Sequence, residues 1–211
     1  MQNFPASILN PTDPCSPLSV PPAQTALLLL DLHKFILSHQ PDGGKSIVES
    51  AVQLRTWAQR RGIAIVHCLL DLEVETPAHM KMSSRTNAIS AGLKDTPEHK
   101  GEADAVTAPG ELTFTRVPAC VSAMESTGLQ EWLKAHGIRS VILAGLSSSG
   151  CVINTAKAAA DQGLVVTVVK DACKDRSAEV HEIIMTRLLV MQSHIVDIEE
   201  LDREWERQVT A

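Results

Sequence analysis

At 211 residues, with 44% hydrophobic content and a formal charge of −6, the chain can bury one sizeable core and is too acidic to favour nucleic acid. Aromatic residues are 3% and tyrosine is absent, which removes the stacking platforms that bind bases. Five cysteines, an odd number without a CxxC pair, argue against a disulfide framework or structural zinc and point to a reducing, cytoplasmic setting.

Residues 1–24 are rich in proline, serine and asparagine and read as an irregular arm. They lack the charged and apolar regions of a secretory leader. The domain proper is expected over 25–211. Its first run, TALLLLDL at 25–32, predicts a strand covered on both faces, with Asp31 at the carboxyl end. That run is far too short to cross a bilayer, so no membrane partner is expected. Ile47, Val48, Ala51, Leu54, Trp57 and Ala58 recur at helical spacing and predict a helix over 45–61 closed by Gly62. A second buried strand follows at 63–70. Residues 71–110 carry Pro77, Pro97 and Pro109 with weak periodicity, and predict a long loop acting as a lid or binding surface.

Beyond the loop the pattern regularises. A short strand at 112–115 is followed by a helix at 127–136, a strand at 140–144 and a helix at 151–162. A strand at 164–170, a helix at 178–190, a strand at 193–198 and an acidic helical tail complete the chain. Such alternation predicts an α/β fold with a six-stranded, mostly parallel sheet and helices on both faces. Neither GxGxxG after the first strand nor GxxxxGK[ST] occurs, so no dinucleotide, P-loop phosphate or other cofactor is expected.

The chemistry concentrates in SVILAGLSSSGCVINTAKAAA, residues 140–160. A buried strand breaks at Gly145, turns through three serines and enters a helix with Cys151 in its first turn. Free N–H groups and the positive helix end favour a thiolate there, and the same amides can hold an oxyanion. Packing alone is the rival reading for such a cysteine. Asp31 in isolation reads as a turn residue or helix cap, and it stands at the sheet edge where ligands bind in open parallel sheets. After the second strand, His67, Asp71 and His79 show no D-x-H spacing, and no metal site is expected.

Four features follow one another: a strand ending in Asp31, a basic residue after the third strand (Arg116), GLSSSGCV at 145–152, and VVTVVKDAC at 165–173. The series resembles the isochorismatase-like cysteine hydrolases, the family that includes nicotinamidases, over residues 25–200. The resemblance implies a three-layer α/β sandwich and a Cys–Asp–Lys triad that cleaves a small amide or related carbonyl compound through a thioester. It makes Cys151 the nucleophile, Asp31 the base, and the N–H groups of Gly150 and Cys151 the oxyanion hole. A cis peptide is implied near Leu146–Ser147 or Ser147–Ser148.

The lysine is where this chain departs. Within TFTRVPACVSAMESTGL, residues 113–129, alignment from the helix side places Pro118 in the lysine position and alignment from the strand side places Arg116 there. Arg116 is preferred because the site needs a cation, although arginine cannot exchange protons as lysine can. His33 stands where the family often has glutamine. If the first strand continues, its side chain leaves the same face as Asp31, as an acid–base group or substrate contact; a backbone-bonded strand-end histidine is the alternative. Ser147 and Ser148 are turn formers and candidate substrate contacts, and His181 a structural contact. The resemblance further implies a homodimer or homotetramer, with helix 178–190 as a possible interface. Two rivals to amide hydrolysis stand: an impaired member working as a binding protein, and a vinyl ether hydrolase of the isochorismatase type, against which Cys151 speaks.

Overall fold

The computed structural model describes residues 9–209; residues 1–8 of the expected arm and 210–211 of the expected domain lie outside the described residues. The strands are β1 (Thr25–Leu30), β2 (Ala64–Leu70), β3 (Leu112–Arg116), β4 (Ser140–Leu146), β5 (Val165–Lys174) and β6 (His194–Val196). The helices are α1 (Lys34–Leu37), α2 (Lys45–Arg60), α3 (Ser83–Lys94), α4 (Leu129–Ala135), α5 (Ile153–Asp161), α6 (Ala178–Ile183) and α7 (Ile198–Val209). The sheet runs β3-β2-β1-β4-β5-β6 with every neighbouring pair parallel. The fold is a three-layer α/β sandwich.

Alternation along the central strands assigns the two faces. Ala26, Leu28 and Leu30 of β1 join Val141 and Leu143 of β4 in a core under α4 and α5. Leu27 and Leu29 join Ile142 and Ala144 in a second core under α2 and α7. All six β1 residues are buried, which explains an uninterrupted apolar run rather than an alternating one. Each buried leucine contributes roughly 1.5–3 kcal/mol by leaving water. Edge-on packing of Trp57 on Trp205, with ring centroids 5.1 Å apart, fastens α7 to α2. Leu9 and Leu18, from the irregular residues before β1, are buried in the same layer.

The strand order reverses between β1 and β4, and at such a switch point a crevice opens beyond the carboxyl ends of the strands. Spacing there is set by backbone. Gly145, paired with Leu30 at the end of the β1–β4 ladder, has φ of 131°, and a Cβ on it would lie 2.1 Å from the Leu30 carbonyl oxygen. No other residue fits.

Residues 71–110 differ from the expected loop. They contain α3, a helix of 12 residues. Asn87 clasps it to the preceding chain, accepting from the Thr76 N–H (2.8 Å) and donating to the Thr76 carbonyl (3.0 Å). The expected helix at 178–190 is α6 followed by a wider π-type turn over Ile184–Leu188, with Ile183, Leu188 and Met191 exposed. Among the described residues no helix is long and apolar enough to cross a membrane.

Candidate active site

The chain leaves β1 at Leu30 and turns at once: Asp31 has φ of 52°, the left-handed region that a non-glycine residue rarely occupies. Its N–H still donates to the Cys68 carbonyl of β2 (3.0 Å), so the turn is anchored while the carboxylate is re-aimed. Two strands away, Arg116 ends β3 and reaches back across the sheet. Its Nη1 donates to Asp31 Oδ1 (3.0 Å) and its Nη2 to Asp31 Oδ2 (2.6 Å), a two-pronged clamp. Nη2 also lies 3.2 Å from Cys151 Sγ. The guanidinium is held from behind by the Cys120 carbonyl, which accepts from Nε (2.8 Å), and the Val121 carbonyl, which accepts from Nη2 (3.3 Å). Asp31, Arg116 and Cys151 are all buried. Pro118 makes no part of this contact and lines the cavity alongside.

Cys151 lies two residues before α5 rather than in its first turn, in a wide π-type turn over Ser148–Val152; Gly150 within it is non-helical. The peptide Leu146–Ser147 is cis. Of the two expected oxyanion donors, Gly150 N–H already donates to the Ser147 carbonyl (3.0 Å). Burial, reinforced by the Asp31 carboxylate, pushes the Cys151 thiol well above its ordinary range, and Arg116 and Thr155 only partly oppose this. The resting sulfur is therefore a thiol. For Arg116, burial works against the charge, but the Asp31 carboxylate outweighs it and the guanidinium stays protonated.

These groups floor a cavity of about 250 Å³. Phe35, Ile36, Leu70, Leu72 and Val121 give it apolar walls, while α3 and the residue before it contribute Met82, Arg85, Thr86 and Ile89. Ser147 and Gly150 also line it. His33 and Ser148 do not appear among the lining residues. Because β1 ends before Asp31, the premise that Asp31 and His33 share a strand face fails. His33 Nε2 instead accepts from the Leu70 N–H (2.9 Å), and burial lowers its pKa, which keeps the ring neutral. Ser148 Oγ lies 2.7 Å from His181 Nδ1, tying the turn to α6.

Two contributors escaped the sequence reading. Thr155 Oγ1 lies 3.5 Å from Cys151 Sγ and accepts from the Ala123 N–H (2.8 Å); its spacing four residues after the cysteine was the available signal. The α3 stripe was the other, since 82, 86, 89 and 93 repeat at helical spacing.

A second charge cluster lies on the opposite face. His67, next to Cys68 on β2 and so pointing the other way, has Nδ1 2.8 Å from Glu102 Oε2 and Nε2 3.1 Å from Glu111 Oε2. Arg55 of α2 pairs with Glu111 (2.7 Å). Burial disfavours the imidazolium, yet the two carboxylates outweigh it and raise the His67 pKa. They flank opposite nitrogens, so the three side chains do not converge on a common point. Glu102 also bridges His33 through its backbone.

The isochorismatase domain model matches residues 25–200, most of the chain. The chain belongs to the isochorismatase family. Among its relatives is a probable inactive nicotinamidase of Arabidopsis thaliana, 28% identical over 74% of this chain and 84% of that one. A probable isochorismatase of Pseudomonas chlororaphis is 27% identical over 77% of each. In structure the chain is similar to a cysteine hydrolase from Pseudomonas syringae pv. phaseolicola, with a TM-score of 0.68 at 16% identity, covering 90% of this chain and 95% of that one. The isochorismatase family is one of hydrolases acting in general on amide and related carbonyl compounds.

Proposed function

We propose that this chain hydrolyses a small amide through a thioester on Cys151. The observation that carries the reading is the shared guanidinium: a carboxylate and a thiol meet the same Arg116 nitrogen, at 2.6 Å and 3.2 Å, on the floor of a cavity. As the Sγ–C bond forms, Asp31 takes the thiol proton, so the thiolate never has to exist free in its buried site. Negative charge moves to the carbonyl oxygen, which the Cys151 N–H receives. The C–N bond then breaks, the proton passes from Asp31 to nitrogen, and ammonia or an amine leaves. Water attacks the thioester, giving its proton to Asp31; the S–C bond breaks, the acid departs, and the proton returns to sulfur. Arg116 stays charged throughout and steadies whichever partner carries the negative charge.

A second reading has its own support. The Arg116 fork occupies both Asp31 oxygens, leaving neither turned to a substrate alone, which suits a chain that binds amides without turning them over. One experiment separates the two. Ammonia release from a panel of small amides is measured for the native chain, Cys151→Ala and Arg116→Lys. Release by the native chain that disappears in Cys151→Ala supports hydrolysis. Release seen only in Arg116→Lys supports the binding protein. Release that survives in Cys151→Ala overturns the thioester.

A further inference from the structure

The turn that re-aims Asp31 also ends the β1–β2 ladder. The next β2 amide on that side, the Leu70 N–H, loses the β1 carbonyl that a continued ladder would offer it. His33 supplies the replacement. Its Nε2, two residues beyond Asp31, accepts from the Leu70 N–H at 2.9 Å, and the residue is only 2% exposed. The following amide, Asp71 N–H, donates to the Arg116 carbonyl at 2.7 Å. One imidazole thus fastens the turn that carries the acid to the strand end against which the cation is held. It also touches the cavity wall: Leu70 and Phe35 both line the cavity, and the Phe35 ring packs on His33 with centroids 5.3 Å apart.

The bond has a condition. An imidazole nitrogen accepts only while it is unprotonated, and a proton on Nε2 would set two N–H donors face to face. We infer that His33 is a positioning residue for Asp31: its neutral ring holds the acid-bearing turn on Leu70, and protonation lets that turn go. This rests on the reading of Asp31 as the base. Charged groups surround the ring. Asp31 faces it from its own turn and Arg116 from β3, while Glu102 lies in the chain bridged to it, with His67 on the far side of Glu102. Burial is the largest influence and lowers the His33 pKa below 6.5; Asp31 works against that shift and Arg116 with it. The latch is therefore closed at neutral pH and opens in acid.

The test reads the amides themselves and needs no turnover. Hydrogen exchange of the Leu70 and Asp31 N–H groups is followed by NMR on the full-length protein from about pH 7.5 to about pH 4.5, with Cys68, farther down the same ladder, as reference. In the native chain both amides should lose about tenfold in protection on acidification while Cys68 keeps its own. His33→Gln sets an amide oxygen where Nε2 stood and accepts at every pH, so its protection should stay level. His33→Asn is too short to reach Leu70 and should leave that amide unprotected throughout. The inference is overturned by level protection in the native chain, by an equal fall in His33→Gln, or by loss at Leu70 without loss at Asp31. If His33→Asn does not fold, the native series and His33→Gln still decide. Ammonia release is scored separately. Where the native chain hydrolyses, its acid-side loss of kcat should shrink in His33→Gln at unchanged KM. Release with the same pH profile in both proteins leaves hydrolysis standing and sinks the positioning role. Absence of release sinks hydrolysis, and the amides still decide for or against the latch.

Discussion

Two charge clusters on opposite faces of the sheet, one buried and one partly so, use the same materials and end differently. On one face Arg116 clamps Asp31 beside Cys151, and on the other Arg55 pairs with Glu111 beside His67. Each sets a guanidinium on a carboxylate, and each has a third group that gains or loses a proton. The first borders open volume and holds its acid in a left-handed turn; the second is packed between α2 and the chain around Glu102. Buried charge therefore does not mark a reactive site in this molecule. A cysteine, a space next to it and a backbone turned at the acid are what separate the two.

The largest expected effect tests whether the clusters are bound equally tightly. Arg116→Met leaves the Asp31 carboxylate buried without a cation and should lower stability in urea by about 3–5 kcal/mol. Arg55→Met should lower it by only about 1–2 kcal/mol, because Arg55 and Glu111 are partly exposed and His67 remains. Equal losses would erase the contrast. Next, Asp31→Asn should reduce ammonia release by about 10²–10⁴-fold, yet hasten iodoacetamide labelling of Cys151 near neutral pH. The carboxylate that adds to the burial effect on the thiol is then gone, while Arg116 stays. Unchanged labelling, followed by mass spectrometry, would mean that burial alone governs the sulfur, and slower labelling that Asp31 acts chiefly as the base that draws off its proton.

The smallest effect belongs to the His67 cluster. The folded-state pKa of His67 lies above its ordinary 6.5, so its charge contributes fully below that value and fades as pH rises through the raised one. The native chain should exceed His67→Gln by about 1–2 kcal/mol in mildly acidic solution, and the gap should narrow on the alkaline side. Urea midpoints across that range would show it. Cys151 labelling should not change, and a change would join the two clusters into one system.

The parts of this picture legible in the sequence are those that repeat or stand in order. Long apolar runs gave the central strands, because residues covered on both faces need not alternate. Asp31, Arg116 and Cys151 could be placed at one sheet edge because each follows a strand. The choice of Arg116 over Pro118 followed from the need for charge, and the fold brings the guanidinium to the pair. Other features gave weaker signals. SSRTNAISAGLK carries serine, asparagine and glycine, poor helix formers, so α3 is held by the Asn87 clasp and packing more than by propensity. Glu102 and Glu111 meet His67 from far along the chain, with no spacing to announce them. Of the two readings of His33 the fold gives the backbone-bonded one, because the shared face depended on a strand that Asp31 cuts short.

One consequence follows from the contact between Gly145 and Leu30. The acid begins one residue after Leu30, and the segment leading to the sulfur begins one residue after Gly145. Main chain touching main chain thus sets the gauge between the arms that carry the acid and the sulfur, as a spacer block sets the jaws of a vice. Evolution or an engineer can exchange leucines and valines below that point, trading firmness for looseness, without altering how far the jaws stand apart.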